Sequence, residues 1–349
     1  MEPKRIWNPP NPYLTEHREW LEEPPSAALE IYEDQSKSIL SQNDSPDIGF
    51  RWSVNSYRGC FPACAYCYAR PTHEYFGFGA GTDFERKIFV KRNAPRLLEQ
   101  AFRRKSWQGE QIVFSGVTDC YQPLEAAWKL TQGCLEVCLA FRNPVAVVTK
   151  SSLIRRDVAL LAALHREARV SVAISIAFLD EEIARRMDPG APMIRKRFET
   201  MRILADAGVP VGIGVAPVIP GLNDSDIPGL LQEAKRCGAA FALKTLLRLP
   251  GSVKEVFFHR LQEALPLKAS KIKHRIRATR QGALSDSRFG HRHHGTGEYW
   301  EMIDQQWELW TRRLGFNQEE EVLRPSTFRR PPPRGPQLEF AWDKATRQD

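Results

Sequence analysis

The stretch Asn55-Ser-Tyr-Arg-Gly59-Cys60-Phe-Pro-Ala-Cys64-Ala-Tyr-Cys67-Tyr68-Ala-Arg70 places three cysteines at i, i+4 and i+7 in one short segment. Gly59 and Pro62 punctuate it as a loop. Thiolates are soft ligands, and several in one loop suit zinc or an iron–sulfur centre. Structural zinc normally takes four ligands, with its cysteines in two separated pairs. No second pair follows here. A 4Fe–4S cluster also usually takes four cysteines. Three thiolates leave one iron without a protein ligand, which is the logic of a catalytic rather than a structural metal site. The plainer alternative is three unliganded cysteines in a surface loop. Their clustering argues against it, because free cysteines are usually isolated and buried.

Outward from this loop the chain alternates between strand and helix. Residues 51–55 read as a strand running into the cysteines. Further strands are expected at 111–115, 144–150, 170–176, 209–215 and 241–246, most of them rich in Val, Ile and Ala. Between them, apolar residues recur at helical spacing. Ala94, Leu98 and Phe102 mark one helix. One continuous helix is expected over 124–141, with Trp128, Leu135 and Cys138 on a face. Ile154, Val158 and Leu161 mark the next. Another carries Ile194, Phe198, Met201 and Ala205 and stops at Gly208. Ser225 is expected to cap a helix running to Gly238, with Pro228 in its first turn. Near-continuous apolar strands suit a parallel sheet covered by helices. Six units are too few for a closed eight-stranded barrel. The expected fold is therefore α/β, a partial (β/α)6 TIM-type barrel with an N-terminal arm and a C-terminal helical extension.

The expected organisation is an arm over residues 1–48, the barrel over 49–250, a helical extension over 251–316 and a Pro/Arg-rich tail over 317–349. The arm is rich in Pro, Glu, Ser and Asn, with short helical turns expected near 26–33. Ser252 to Glu255 reads as a capping box. Trp300, Ile303, Trp307, Trp310 and Leu314 repeat at 3 and 4 residues, a core-facing stripe ended by Gly315. Arg329-Arg-Pro-Pro-Pro-Arg334 reads as polyproline II or disorder. Cys134 and Cys138, one helical turn apart, read as core. His291, His293 and His294 read as a polar, partly flexible loop rather than a metal site, because no partner ligands are evident.

The chain has 349 residues, 42% hydrophobic and 26% charged, as an ordinary globular protein does. It has no apolar run of about 18 residues and no signal-like apolar segment at its start. Seven cysteines, an odd number with three clustered, do not form a disulfide framework, and a cytoplasmic location is expected. A net charge of +8 is compatible with nucleic acid. Lys268 to Arg280 adds six basic residues and no acid.

The C-x3-C-x2-C spacing, with Tyr66 just before the last cysteine, resembles the signature of radical SAM enzymes. The resemblance covers about residues 50–250 and implies the partial barrel. It implies a 4Fe–4S cluster on Cys60, Cys64 and Cys67, its open iron chelated by S-adenosylmethionine. It also implies an external one-electron donor such as flavodoxin or ferredoxin. Reductive cleavage of the cofactor would give a 5′-deoxyadenosyl radical that abstracts hydrogen from the substrate. Where many members carry Gly-Gly-Glu after the second strand, this chain has Thr118-Asp119. That resembles the branch containing spore photoproduct lyase, and implies Thr118 or Asp119 as acceptor for the cofactor amino group. Both also read as helix caps. Thr149-Lys150-Ser151 resembles the same branch, with Lys150 on the cofactor carboxylate; alternatively Lys150 reaches solvent. Tyr66 is expected beside the cofactor. Ser175 is assigned to the ribose, against the reading of a hydroxyl bonded to its own backbone. Gly212 and Gly214 are expected to let the adenine approach, although glycines also mark bulges.

The resemblance suggests a nucleic-acid or nucleotide-containing substrate. It departs from spore photoproduct lyase in one place. Those enzymes carry a hydrogen-donating cysteine two positions before the Ser/Thr-Asp pair, where this chain has Gly116. Cys120, after Asp119, is the candidate replacement, expected at the mouth of the site. Two other readings stay open. One is a non-catalytic, metal-stabilised nucleic-acid-binding module using the 268–280 stretch. The other is an iron–sulfur electron carrier.

Overall fold

The computed structural model describes residues 8–15, 28–318 and 326–332. Ten strands form two sheets. They are β1 (Glu30–Glu33), β2 (Leu40–Gln42), β3 (Trp52–Val54), β4 (Tyr57–Arg58), β5 (Lys87–Val90), β6 (Ile112–Phe114), β7 (Val145–Thr149), β8 (Val170–Ser175), β9 (Val211–Val218) and β10 (Phe241–Leu246). The larger sheet runs β10-β9-β8-β7-β6-β3-β2. Strands β3 and β6 to β10 pair in parallel, while β2 is antiparallel on β3. Six parallel strands in sequence order make the expected partial barrel. Their residues are buried along most of β6, β8 and β9, so the apolar runs have helix on one side and barrel interior on the other. The smaller sheet, β1-β5-β4, lies beside the cysteine loop.

Four local expectations change. Residues 30–33 are strand β1, not a helical turn, because they pair with β5; residues 26–27 lie outside the described residues. The helix expected over 124–141 is two helices, Glu125–Trp128 and Leu130–Phe141, broken where Lys129 takes φ +51°. The buried Glu125 carboxylate then accepts from the amides of Thr131 (2.9 Å) and Gln132 (3.2 Å), capping the second helix. Ser225 caps nothing. Residues Asp224–Asp226 form a 3-10 turn and the helix starts at Ile227, because Asp226 is turned to the Leu179 amide (3.0 Å). The capping box at Ser252 does not form, since Ser252 is itself helical and makes no capping bond.

The helix Glu298–Arg313 packs Trp300 and Trp307 against the core, as its stripe requires. Residues 326–332, which include the start of the 329–334 stretch expected as polyproline II or disorder, dock on the barrel's helices. Phe328 packs on Phe102 and Phe141, and Arg330 donates to the carbonyls of Phe102, Arg104 and Trp107. Residues 333–334 lie outside the described residues. Among the described residues no helix is long and apolar enough to cross a membrane.

Candidate cofactor site

The three cysteines follow the short strand β4, in the segment that leaves the C-terminal end of β3, where the loops of a parallel barrel collect function. Cys60 and Cys64 are buried and Cys67 is partly so. The loop is held by charges that the spacing alone did not reveal. Arg70 is fully buried and donates to the carbonyls of Cys64 (2.7 Å), Ala63 (3.2 Å), Ala80 (2.9 Å) and Gly81 (3.2 Å). Its guanidinium pairs with Glu85 at 2.6 Å. Arg260, from the helix Val253–Ala264, pairs with the same carboxylate at 2.6 Å and donates to the Ala63 carbonyl. This clamp keeps Ala63 at φ +59°, a left-handed conformation that costs a non-glycine residue roughly 1–2 kcal/mol. One sequence signal pointed to Arg260: it sits on the apolar stripe of Val253, Val256, Phe257 and Leu261, where a charge needs a partner.

Gly190 packs against the loop from the far side. Its amide donates to the Pro62 carbonyl (3.0 Å), and a Cβ there would stand 2.4 Å from the Phe61 carbonyl oxygen. The Asp119 amide points at Cys60 Sγ, 3.4 Å away. Burial pushes the Cys60 thiol up to about 12, helped by Cys67 and Asp119, and raises Cys64 and Cys67 as well. Crowded, desolvated sulfurs of this kind need a bound cation to become thiolates.

The other candidate residues gather on one side of this loop. The Lys150 ammonium stands 3.4 Å from Ser175 Oγ and 5.5 Å from the centre of the Tyr66 ring. Burial alone would discharge it. Cys64 once ionised, with Asp188 and Asp119, outweighs that and holds its pKa above the ordinary lysine value. Tyr66 and Asp188 are buried side by side, yet the Tyr66 hydroxyl and Asp188 Oδ1 have no hydrogen bond of standard geometry. Arg197, which the sequence reading passed over, is buried and donates to the Ser175 carbonyl (3.2 Å) and to Asp188 (3.4 Å).

Thr118 and Asp119 are already engaged. The Thr118 hydroxyl donates to the Gly59 carbonyl (2.9 Å), tying the second strand's loop to the cysteines. Asp119 accepts from the Thr149 hydroxyl (2.6 Å) and the Lys150 amide (2.8 Å), so it fixes the turn that carries Lys150. The two glycines of β9 differ. A Cβ at Gly212 would strike the Phe241 ring at 2.3 Å, so that space belongs to β10. At Gly214 a Cβ would meet only ordinary contacts near Ser175 and Ile174, which leaves the backbone open to approach. Cys120, expected at the mouth, is 2% exposed and packs in the core. Its amide is turned inward onto Ser115 Oγ (2.9 Å), where Ser115 bends the chain with φ +79°. The histidine loop, expected as partly flexible, is stapled by Arg280, which donates to the carbonyls of His291, Arg292 and His294.

Among the described residues no three His, Cys, Asp or Glu side chains converge closely enough to share one metal ion. In a 4Fe–4S cluster each thiolate binds a different iron, so the ligands need not meet at one ion.

A family model described as the Radical SAM superfamily matches residues 54–234. The chain is 36% identical over 241 residues to an uncharacterised protein of Mycobacterium tuberculosis, covering 68% of this chain and 71% of the relative. It is 28% identical over 199 residues to an uncharacterised protein of Methanocaldococcus jannaschii, covering 57% of this chain and 71% of the relative. Among solved structures it is similar to a spore photoproduct lyase variant with bound AdoMet and dinucleoside spore photoproduct. There the TM-score is 0.58 at 17% identity, over 82% of this chain and 80% of the other. A spore photoproduct lyase complexed with dinucleoside spore photoproduct gives a TM-score of 0.58 at 16% identity over the same shares. At these identities the likeness is one of fold.

Proposed function

Because this chain belongs to the radical SAM superfamily, we propose that it binds a 4Fe–4S cluster and S-adenosylmethionine at this site and acts on a nucleic-acid or nucleotide-containing substrate. The observation that carries the reading is the clamped loop of Cys60, Cys64 and Cys67 with the Lys150 ammonium held close by. The donor set fits the cluster: three thiols desolvated together in one loop, whose acidity burial suppresses until a cation binds. When bound and reduced by an external donor such as flavodoxin or ferredoxin, the cluster and S-adenosylmethionine together supply a carbon-centred radical.

The protein's own work is placement. Lys150 offers its charge to the cofactor carboxylate, and Asp119 keeps Lys150 in register by binding its amide. Ser175 sits next to that ammonium and suits the ribose. Gly214 leaves its backbone open for the adenine, and Tyr66 walls the site. Thr118 ties the loop down with its hydroxyl hydrogen, and either its oxygen or Asp119 is the acceptor for the cofactor amino group. The substrate half rests on the basic balance of the chain and on the branch resemblance.

The reaction differs from spore photoproduct repair. Gly116 has no thiol, and a Cβ there would press on Ser53 at 3.2 Å. Cys134 and Cys138 lie in the helix Leu130–Phe141 and Cys237 follows the helix Ile227–Arg236, away from the loops that carry the candidate site. An anaerobic assay for 5′-deoxyadenosine, with iron and sulfide counted in the same sample, tests the reading. Cofactor cleavage is expected, without stoichiometric reversal of the spore thymine dimer in an oligonucleotide. Stoichiometric zinc in anaerobic protein would sink it, and dimer reversal would sink the departure.

A further inference from the structure

The C-terminal end of β10 carries cationic groups that the cofactor site does not use. Arg280 is 7% exposed and donates to the carbonyls of His291 (2.9 Å), His294 (2.9 Å), Arg292 (2.9 Å) and Leu247 (3.1 Å). The Leu246 amide adds a bond to the His293 carbonyl (3.1 Å). The histidine loop is thereby fixed on the barrel rim.

Three side chains meet there. Both ring nitrogens of His293 are buried and bond to nothing. Arg248 is half-buried and makes no hydrogen bond or ion pair among the described residues; its guanidinium lies 5.9 Å from the centre of the Tyr68 ring. Arg292 pairs with Asp47 at 2.6 Å, and Asp47 also accepts from the Gly290 amide. Two arginines and a histidine thus share one carboxylate. Burial and the neighbouring Arg292 lower the Arg248 pKa, and burial with Arg248 and Arg292 lowers His293 to about 4. The buried His293 nitrogens are costly while unpaired, and the unpaired Arg248 guanidinium, still reachable by solvent, is free to take an acceptor from outside.

The rim adjoins the cofactor loop. Tyr68 directly follows Cys67, is 51% exposed, and donates its hydroxyl to the Gly116 carbonyl beyond β6. An exposed aromatic ring beside a free arginine is the pairing that holds single-stranded nucleic acid, base on ring and phosphate on guanidinium.

We propose that Arg248, His293 and Arg292 form an anion site on the barrel rim that takes a backbone phosphate of a single-stranded nucleic-acid substrate, with a base against Tyr68. The proposal deepens the function given above and rests on its substrate half. It also reassigns the contact away from the 268–280 stretch. There Arg280 is spent on carbonyls, while Lys268, Lys271 and Lys273 are ordinary exposed lysines.

The test is fluorescence anisotropy with a fluorescein-labelled ten-residue oligothymidylate and anaerobically reconstituted holoenzyme, over a salt series. Arg248→Ala should weaken binding at least about tenfold and lower the salt slope by roughly 0.7 for the lost phosphate contact. Arg248→Lys should keep the slope but not the affinity, because lysine lacks the planar fork. His293→Ala should cost a few-fold, and Lys271→Ala should leave binding unchanged. Iron content and melting temperature of Arg248→Ala should match wild type, since the side chain holds nothing in place. Wild-type binding by Arg248→Ala, or loss of binding in Lys271→Ala, would overturn the rim assignment while leaving a nucleic-acid substrate standing. Equal binding of thymidine 5′-monophosphate, with the same Arg248 dependence, would replace the strand by a free nucleotide. No binding by wild type would overturn the proposal with the substrate half of the function, and the 5′-deoxyadenosine assay would still report the cofactor chemistry independently.

Discussion

The cysteine loop and the β10 rim are both built on buried or half-buried arginines, and they use them in opposite ways. At the loop, Arg70 and Arg260 are matched to Glu85 and to backbone carbonyls. At the rim, Arg248 has no hydrogen-bond or ion-pair partner among the described residues, only the Tyr68 ring, and His293 has two unused ring nitrogens. Donors satisfied from within fix a shape. Donors left open at a mouth mark where an external acceptor enters. The difference separates the scaffold of the candidate site from the rim proposed to contact a substrate, and Tyr68 joins the two.

The sharpest way to break the comparison is at the sulfurs. Cys64→Ala should remove the visible absorbance of the anaerobic protein entirely, while Cys134→Ala should keep it, because Cys134 is packed in the core. Persistence of the chromophore in Cys64→Ala would detach the loop from the cluster. Next comes the clamp. Arg260→Ala leaves the buried Glu85 with Arg70 alone and should cost about 3 kcal/mol in chemical denaturation. It should also lower the iron bound per chain on reconstitution, and Arg260→Lys should recover part of both. Unchanged stability and iron would show that Arg70 suffices.

Lys150→Ala tests the residue nearest the proposed cofactor. A charge-assisted bond is worth ~1.5–3 kcal/mol, so S-adenosylmethionine should bind roughly tenfold to a hundredfold more weakly. Cluster content should stay normal, and an unchanged affinity would remove Lys150 from the site.

The smallest effect is expected at the rim. His293 titrates at about 4 instead of its ordinary 6.5, through burial, Arg248, Arg292 and His294, against the opposing pull of Asp47. Between those two values the unfolded chain binds a proton that the folded one refuses. Stability should therefore be full above 6.5 and fall as pH drops toward 4. The step should be modest, because the side chain is partly exposed. His293→Asn should flatten that segment of the denaturation midpoint against pH; an unaltered slope would mean that His293 lies in an ordinary solvated setting.

Much of the site was legible because its parts are local. The cysteine spacing, the strand before it and Thr149-Lys150-Ser151 at the end of β7 are all read from contiguous residues. Cys120 was misplaced for a specific reason. Alternation along a strand says which side a residue takes, but Ser115 turns the chain with φ +79° and ends the alternation. Gly212 and Gly214 looked equivalent, and only the neighbouring strand told them apart, since Phe241 fills the space over one of them.

The amino-acid order by itself determined the parallel α/β barrel, the three-thiol loop at the end of its first parallel strand and the lysine at the end of β7. Apolar periodicity and ligand spacing are properties of neighbours in the chain. Tertiary structure alone decided what surrounds them. The carbonyl of Ala63 meets a guanidinium 197 residues away, and Asp47 meets Gly290 across 243. Such pairings depend on strand order, helix rotation and the desolvation that forces each buried charge to find a partner. Those quantities exist only once the sheet has assembled, and they also decide that Arg248 is the charge left over.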